Sequence, residues 1–312
     1  MRTLPFLLSI SVLTVVLAEA GARWGLGLGT PPLSVEHPTI DYMFAPNQDV
    51  NRFGNRQVFN SFGMRSEPLD DVGERQLILV FGDSVLNGGN LTDHKELATT
   101  LATDDDTFFG NVSAGSWGPG NYRAWIDEFG LLGADDVVFV LRDHDLNDQP
   151  EFKPLNPNTH PTERPLFALG ELVTRYLPRY LPDEIASVFA LETPDSRDHP
   201  VTMNRPTGIE DMQDIFARLA ANGVSSCILF HPTQSELDGE DRTGTAVFQE
   251  LADSWDIPSI DLASAYLERG NPSQFYREND NIHINAAGQQ VLAAELSRCH
   301  AQAQVPTVPY KR

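Results

Sequence analysis

The stretch Gln76-Leu77-Ile78-Leu79-Val80-Phe81-Gly82-Asp83-Ser84 decides how this chain is read. An apolar run of strand length ends abruptly in a glycine, an acid and a serine. Four further runs follow it. They are Thr107-Phe108-Phe109-Gly110-Asn111-Val112, Val137-Val138-Phe139-Val140-Leu141, Ser226-Cys227-Ile228-Leu229-Phe230 and the shorter Ser259-Ile260-Asp261-Leu262. The third run is continuous in apolar residues, as a strand buried on both faces is. Helical patterns lie between and around them, near 93–102 and over 121–129, 209–221, 246–255 and 286–299. Strands alternating with helices predict a parallel sheet covered by helices on both faces.

Around this core the pattern changes. Residues 21–74 are rich in Gly, Pro, Asn and Arg and carry short extended stretches such as 56–59 after Gly54-Asn55. They read as an N-terminal arm with a short hairpin packed on the main domain. Residues 147–206 hold Pro150, Pro154, Pro157, Pro161, Pro165, Pro178, Pro182, Pro194, Pro200 and Pro206. That proline density leaves room for one helix, near 166–176, and marks an insertion or lid rather than a connection. The predicted division is therefore a signal peptide at 1–20, the arm at 21–74, one domain at 75–302 interrupted by the insertion, and a tail at 303–312.

The signal peptide rests on Arg2, the apolar run from Leu4 to Leu17, and the A-x-A pattern Ala18-Glu19-Ala20. An uncleaved signal anchor is the alternative, and the only route by which this chain meets a membrane. Either way the chain is expected outside the cytoplasm, periplasmic or extracellular. Lys and Arg number 22 against 44 Asp and Glu, for a formal charge of −22. A field of that sign repels nucleic acid and anionic membrane surfaces, so neither is expected as a partner. The two cysteines, Cys227 and Cys299, exclude a disulfide-built scaffold. They either form one disulfide or remain two buried thiols.

Chemistry concentrates at the strand ends. Ser84 follows the first strand, where open α/β sheets bind ligands, and Gly82 permits a tight turn there. A serine hydroxyl needs a base, and the base needs a carboxylate to fix its tautomer. Asp280-Asn281-Ile282-His283 offers both, three residues apart, just before the last helix. Oxyanion donors are expected from the N–H of Ser84 and from the small-residue loop 111–121, at Gly115 or Ser116. His144, in Arg142-Asp143-His144-Asp145 after the third strand, supplies a further donor.

Taken together, these blocks resemble the SGNH (GDSL-like) hydrolase superfamily, over roughly residues 75–300. Val80-Phe81-Gly82-Asp83-Ser84 looks like its first block and Asp280-Asn281-Ile282-His283 its last. Asn60-Ser61-Phe62-Gly63-Met64-Arg65 looks like a segment that precedes the nucleophile in some exported bacterial members. The resemblance implies a flavodoxin-like three-layer α/β/α sandwich and a Ser–His–Asp mechanism without metal or cofactor. Ser84, Asp280 and His283 are the implied catalytic residues. The chain departs from the family at its third block, where His144 stands in place of the family's Asn, and at the second block, where Ser116 or Gly115 stands for its Gly.

The resulting expectation is a serine esterase that removes acyl groups, acetyl among them, from a glycan or small-molecule ester. The alternatives are a polysaccharide O-acetyltransferase using the same acyl-serine, and a non-catalytic carbohydrate-binding protein. Asp104-Asp105-Asp106 reads as a solvated loop in preference to a calcium site. Trp117, Tyr122 and Trp125 read either as sugar-stacking surfaces or as core. His94, His160, His199, His231 and His300 show no metal-ligand spacing.

Overall fold

The computed structural model describes residues 3–182, Ile185 and 207–309. Arg2, the rest of the insertion up to Pro206 (with Pro194, His199 and Pro200) and residues 310–312 lie outside the described residues. Among the described residues nine strands form three sheets. Ser34–His37 (β1) pairs antiparallel with Asp41–Phe44 (β2), and Gln48–Arg52 (β3) with Asn55–Phe59 (β4). The region read as an arm with one hairpin therefore carries two.

The central sheet is parallel and five-stranded. It comprises Gln76–Gly82 (β5), Thr107–Ser113 (β6), Asp136–Leu141 (β7), Ser225–Phe230 (β8) and Ser259–Asp261 (β9), in the order β6-β5-β7-β8-β9. Counted from β5 this is 2-1-3-4-5, the flavodoxin-like order. Strands are added outward on one side of β5 first (β6) and then on the other (β7 onward), so the crevice at the carboxyl ends of β5 and β7 is the topological switch point.

Alternation along each strand builds two cores. Leu77, Leu79, Phe81, Val137, Phe139, Leu141, Ile228 and Phe230 face one side. There they meet the helices Pro119–Phe129, Gly208–Asn222 and Thr243–Ser254. Ile78, Val80, Val138, Val140, Cys227, Leu229 and Ile260 face the other. They are covered by Ala98–Ala102, Leu262–Glu268 and Ala286–Gln302. The chain is thus a three-layer α/β/α sandwich. Trp117, Tyr122 and Trp125 are all buried in the first core, so they pack rather than stack on a ligand.

Two helical expectations shorten. The pattern near 93–102 splits into a tight turn His94–Glu96 and the helix Ala98–Ala102, because Leu97 adopts an extended backbone between them. The pattern at 166–176 becomes the helix Ala168–Glu171 continued by a wider turn Leu172–Tyr176. Cys227 of β8 and Cys299 of the last helix are joined by a disulfide, with Cα atoms 5.6 Å apart.

At the N-terminus, Thr3–Ala20 is a helix whose apolar side chains from Leu7 to Leu17 are largely exposed. The segment Leu7–Gly25 is long and apolar enough to cross a membrane. Glu19 accepts the N–H groups of Ala168 and Leu169 at 2.8 and 2.9 Å, capping the helix that starts there.

Candidate active site

The turn after β5 explains how Ser84 is presented. Asp83 caps the four-residue helix Ser84–Asn87, its Oδ1 accepting the Val85 N–H at 2.8 Å. A side chain at position 82 would bring a Cβ within 2.8 Å of the Leu86 Cβ, so this fold-back needs glycine. The helix stops at Gly88, in the left-handed region at φ 72°. Asn111 ties the turn to β6, its Nδ2 donating to the Leu86 carbonyl at 3.0 Å. Ser84 thus stands at the switch point on a short, braced corner.

Residues 280–283 come from the far end of the chain. The His283 Nε2 lies 2.9 Å from the Ser84 Oγ, and its Nδ1 lies 2.7 Å from the Asp280 Oδ2. The Asp280 Oδ1 accepts the N–H groups of Ile282 and His283, both at 2.9 Å. Partial burial works to raise the Asp280 pKa, but these N–H groups and the imidazole outweigh it, and the carboxyl ends below its ordinary range. Hydrogen bonding to a carboxylate fixes the hydrogen on Nδ1 and leaves Nε2 as the acceptor facing the hydroxyl. The three side chains form one relay across 199 residues of sequence separation.

The loop is braced from β8. Gln234 donates from Nε2 to the Asp280 carbonyl at 2.7 Å and from its backbone N–H to the Asn281 carbonyl at 2.9 Å. The His231 Nε2 meets the Ile282 carbonyl at 3.1 Å. A carbonyl only accepts, so Nε2 carries the hydrogen. His231 is fully buried, and burial lowers its pKa to about 4 against the lift from that bond. In the sequence His231 shows no metal-ligand spacing and nothing else that marks it, because its partner Ile282 lies 51 residues away.

The expected oxyanion donors divide between two adjoining cavities. Ser84 and Gly115 line one of about 180 Å³ together with His283, Asn87, Tyr42, His160, Arg175 and Arg277. Ser116 and His144 line its neighbour, which shares Tyr42, Gly115, Thr159 and His160 with the first. The Ser84 N–H opens its helix and has no partner there. The Gly115 N–H donates to nothing among the described residues. Its carbonyl accepts the Tyr42 hydroxyl at 2.6 Å, which fixes the peptide's orientation.

His144 sits beside a buried charge group. Asp83 and Arg142 form an ion pair at 2.7 Å, with Asp83 only 1% exposed. Asp145 accepts the Arg142 N–H at 2.8 Å. Burial, with Asp83 nearby and Arg142 opposing, pushes the Asp145 carboxyl up to about 7. The His144 Nε2 lies 2.6 Å from the Arg142 Nη2 and 3.5 Å from the Asp148 Oδ2. Asp148 lifts the His144 pKa, with burial opposing. In the neutral ring the Arg142 contact makes Nε2 the acceptor and leaves Nδ1–H as the donor. Among the described residues Asp83, His144 and Asp145 also form the one cluster with metal-ligand geometry. The Arg142 guanidinium already supplies its positive charge. At the opposite end of the sheet, the Asp104 Oδ1 accepts the N–H groups of Asp106 and Thr107 at 2.9 and 2.8 Å, shaping an acidic turn.

The upstream segment 60–65 also reaches the site. The Asn60 Oδ1 accepts the Phe62 and Met64 N–H groups, and Gly63 takes φ 69°, where a Cβ would meet the Phe44 carbonyl oxygen at 2.3 Å. That turn delivers Arg65, which donates to the Gly89 carbonyl at 2.6 Å and the Thr92 carbonyl at 2.8 Å. Arg277 grips the same loop, donating to the Gly88 carbonyl at 2.6 Å and to the Thr92 Oγ1 at 2.9 Å. Arg65 closes the 60–65 segment already singled out in the sequence, whereas neither Arg277 nor Arg175 of the insertion carried a recognisable motif.

No family model matches the chain, and no curated protein does. Solved structures do. A lipase/acylhydrolase from Enterococcus faecalis is 14% identical, with TM-score 0.44 over 76% of this chain and 100% of its own. A member of the lipolytic G-D-S-L family from Veillonella parvula is 13% identical, with TM-score 0.43 over 73% of this chain and 99% of its own. A two-domain esterase active on acetylated mannans, crystallised with mannopentaose, is 12% identical, with TM-score 0.45 over 77% of this chain and 54% of its own.

Proposed function

We propose that this chain is an SGNH-type serine ester hydrolase, acting through an acyl-serine intermediate on a short-chain ester of a glycan or small molecule. One observation carries the reading: the continuous hydrogen-bonded chain from the Ser84 Oγ through His283 to Asp280, at 2.9 and 2.7 Å, standing at the switch point of the sheet.

In this reading the Ser84 oxygen attacks the acyl carbon while its proton passes to the His283 Nε2. Asp280 holds the ring in the required tautomer and stabilises the imidazolium that forms. The developing oxyanion takes hydrogen bonds from the Ser84 and Gly115 N–H groups. His144 adds a donor through Nδ1–H from the adjoining cavity. His283 then returns the proton to the leaving alcohol, and water repeats the sequence on the acyl-serine with His283 as base. All charge development is met by groups of this chain.

The apolar helix Thr3–Ala20 is proposed to direct export, and the Cys227–Cys299 bridge suits an oxidising compartment. The reaction is tested with a fluorophosphonate probe and short-chain esters. The wild-type protein is expected to become labelled on Ser84 and to release acid from acetyl esters. Ser84→Ala loses both while keeping its thermal transition. Ester turnover retained by Ser84→Ala would remove the basis of the assignment.

A further inference from the structure

The net charge of the chain is −22, yet among the described residues no Asp or Glu lines the cavity beside Ser84. Arg277, Arg175 and His160 line it instead, along with the catalytic histidine. Arg277 spends only Nη2 on the protein, on the Gly88 carbonyl and the Thr92 Oγ1. Its Nε and Nη1 have no partner among the described residues. Among the described residues no carboxylate oxygen stands within ion-pair distance of it either. The carboxylate it feels most is Asp280, which is already engaged with His283.

Beneath it, Arg65 is wholly buried and bonded to the loop carbonyls and to Asn87, without a carboxylate contact. The two guanidinium groups repel each other: burial, followed by Arg277, pushes Arg65 down to about 9. Arg175 and Arg52 both pair with Glu171, at 3.3 and 2.6 Å. A partly buried, one-sign wall focuses field into the cavity next to the reacting oxygen.

Resting on the reading of Ser84 as the acylated nucleophile, we infer that this cavity receives a carboxylate of the substrate on Arg277, and that the substrate is a short-chain ester of an acidic sugar. With Nη2 engaged, the Arg277 Nη1–H and Nε–H each remain to donate a single charge-assisted hydrogen bond to a carboxylate oxygen. The remaining lining favours a sugar over a lipid. Gln57, Asn90 and Thr159 line the cavity with amide and hydroxyl groups, the Gln57 Nε2 donating to the Asn90 Oδ1 at 2.9 Å, and a polar lining of this kind suits sugar hydroxyls better than an acyl chain.

The experiment compares an O-acetylated hexuronic acid with its carboxamide, which is the same sugar without the charge. Acetate release is the readout. The wild-type protein is expected to prefer the acid in kcat/KM by on the order of ten- to a hundredfold, mainly through KM, the range for a hydrogen bond to a charged group. The preference shrinks as NaCl is raised. Arg277→Gln brings the ratio of acid to carboxamide towards one, and Arg277→Lys keeps part of it. A purely structural role for Arg277 would change both substrates alike and leave the ratio unmoved, which overturns the inference. Equal turnover of acid and carboxamide by the wild-type protein overturns it as well. So does a stronger preference for a phosphate-bearing lysophospholipid. If neither sugar is cleaved while the fluorophosphonate still labels Ser84, the acidic-sugar assignment alone fails. Loss of labelling in the wild-type protein removes the nucleophile reading beneath it.

Discussion

His231 couples acid stability to the loop 280–283, and the size of that coupling follows from its surroundings. It is 1% exposed, with its Nε2–H on the Ile282 carbonyl at 3.1 Å and its ring among Tyr266 and Tyr276. Burial lowers its pKa from an ordinary 6.5 to about 4. The folded chain therefore binds fewer protons at this site than the unfolded chain between those values. Stability contributed by neutral His231 is fully present above pH 6.5 and is lost as pH falls towards 4. Two and a half pH units correspond to about 3 kcal/mol. His231→Gln keeps a donor of similar reach and does not titrate. It loses ring packing at all pH values, so it is the less stable protein at pH 7.5. Its urea midpoint then falls less steeply with acid, and the gap between the two proteins narrows by about 3 kcal/mol by pH 4. Because Ile282 sits between Asp280 and His283, ester turnover in the wild-type protein should decline along the same limb. Parallel midpoints for the two proteins from pH 7.5 to 4 would refute the argument, since they would mean that the ring titrates alike folded and unfolded.

Asp280→Asn keeps the shape of the loop but removes the charge 2.7 Å from the ring and the fixed tautomer. A fall in kcat of about 10²–10⁴ is expected in steady-state ester hydrolysis, with KM little changed, and a fall below tenfold contradicts the relay. The Cys227–Cys299 bridge closes a loop with a sequence separation of 72. In the chain-entropy account, replacing both cysteines by serine lowers unfolding free energy by about 4 kcal/mol, read from denaturant midpoints. Protein recovered from outside the cytoplasm should carry that bridge and begin at Gly21. A mass that still includes Thr3–Ala20 would instead mean that the helix is kept as an anchor.

Much of this architecture is written in short-range pattern. Val137–Leu141 reads as a doubly buried strand because every side chain in it is apolar, and the two-sided burial observed across β7 is what that pattern demands. The acid-serine corner was legible because Gly82 and Asp83 each do a local job, one steric and one as a cap. The split at Leu97 was not legible. Its extended backbone lets the next residue, Ala98, donate to Gln289 of the last helix at 2.8 Å, a partner 191 residues away. Helix propensity carries no term for such a bond.

The same distinction separates the relay from the pocket that surrounds it. Asp280 and His283 lie three residues apart, so one turn of chain displays the partnership. Arg65, Arg175 and Arg277 come from three separate segments, and although Arg65 ends the 60–65 segment noted in the sequence, nothing in a chain so rich in acid marks Arg175 or Arg277 as other than an ordinary partner for a surface carboxylate. Only the fold reveals that, among the described residues, Arg65 and Arg277 have no carboxylate contact and close on one loop, Gly88 to Thr92, just after Ser84. Burying two like charges there is costly. If stability alone governed this loop, neutral donors to its carbonyls would serve it as well at lower cost. The arginines make physical sense where a negative group arrives from outside, and so the charge that looks misplaced in the free protein is the feature on which the proposed acidic-sugar substrate rests.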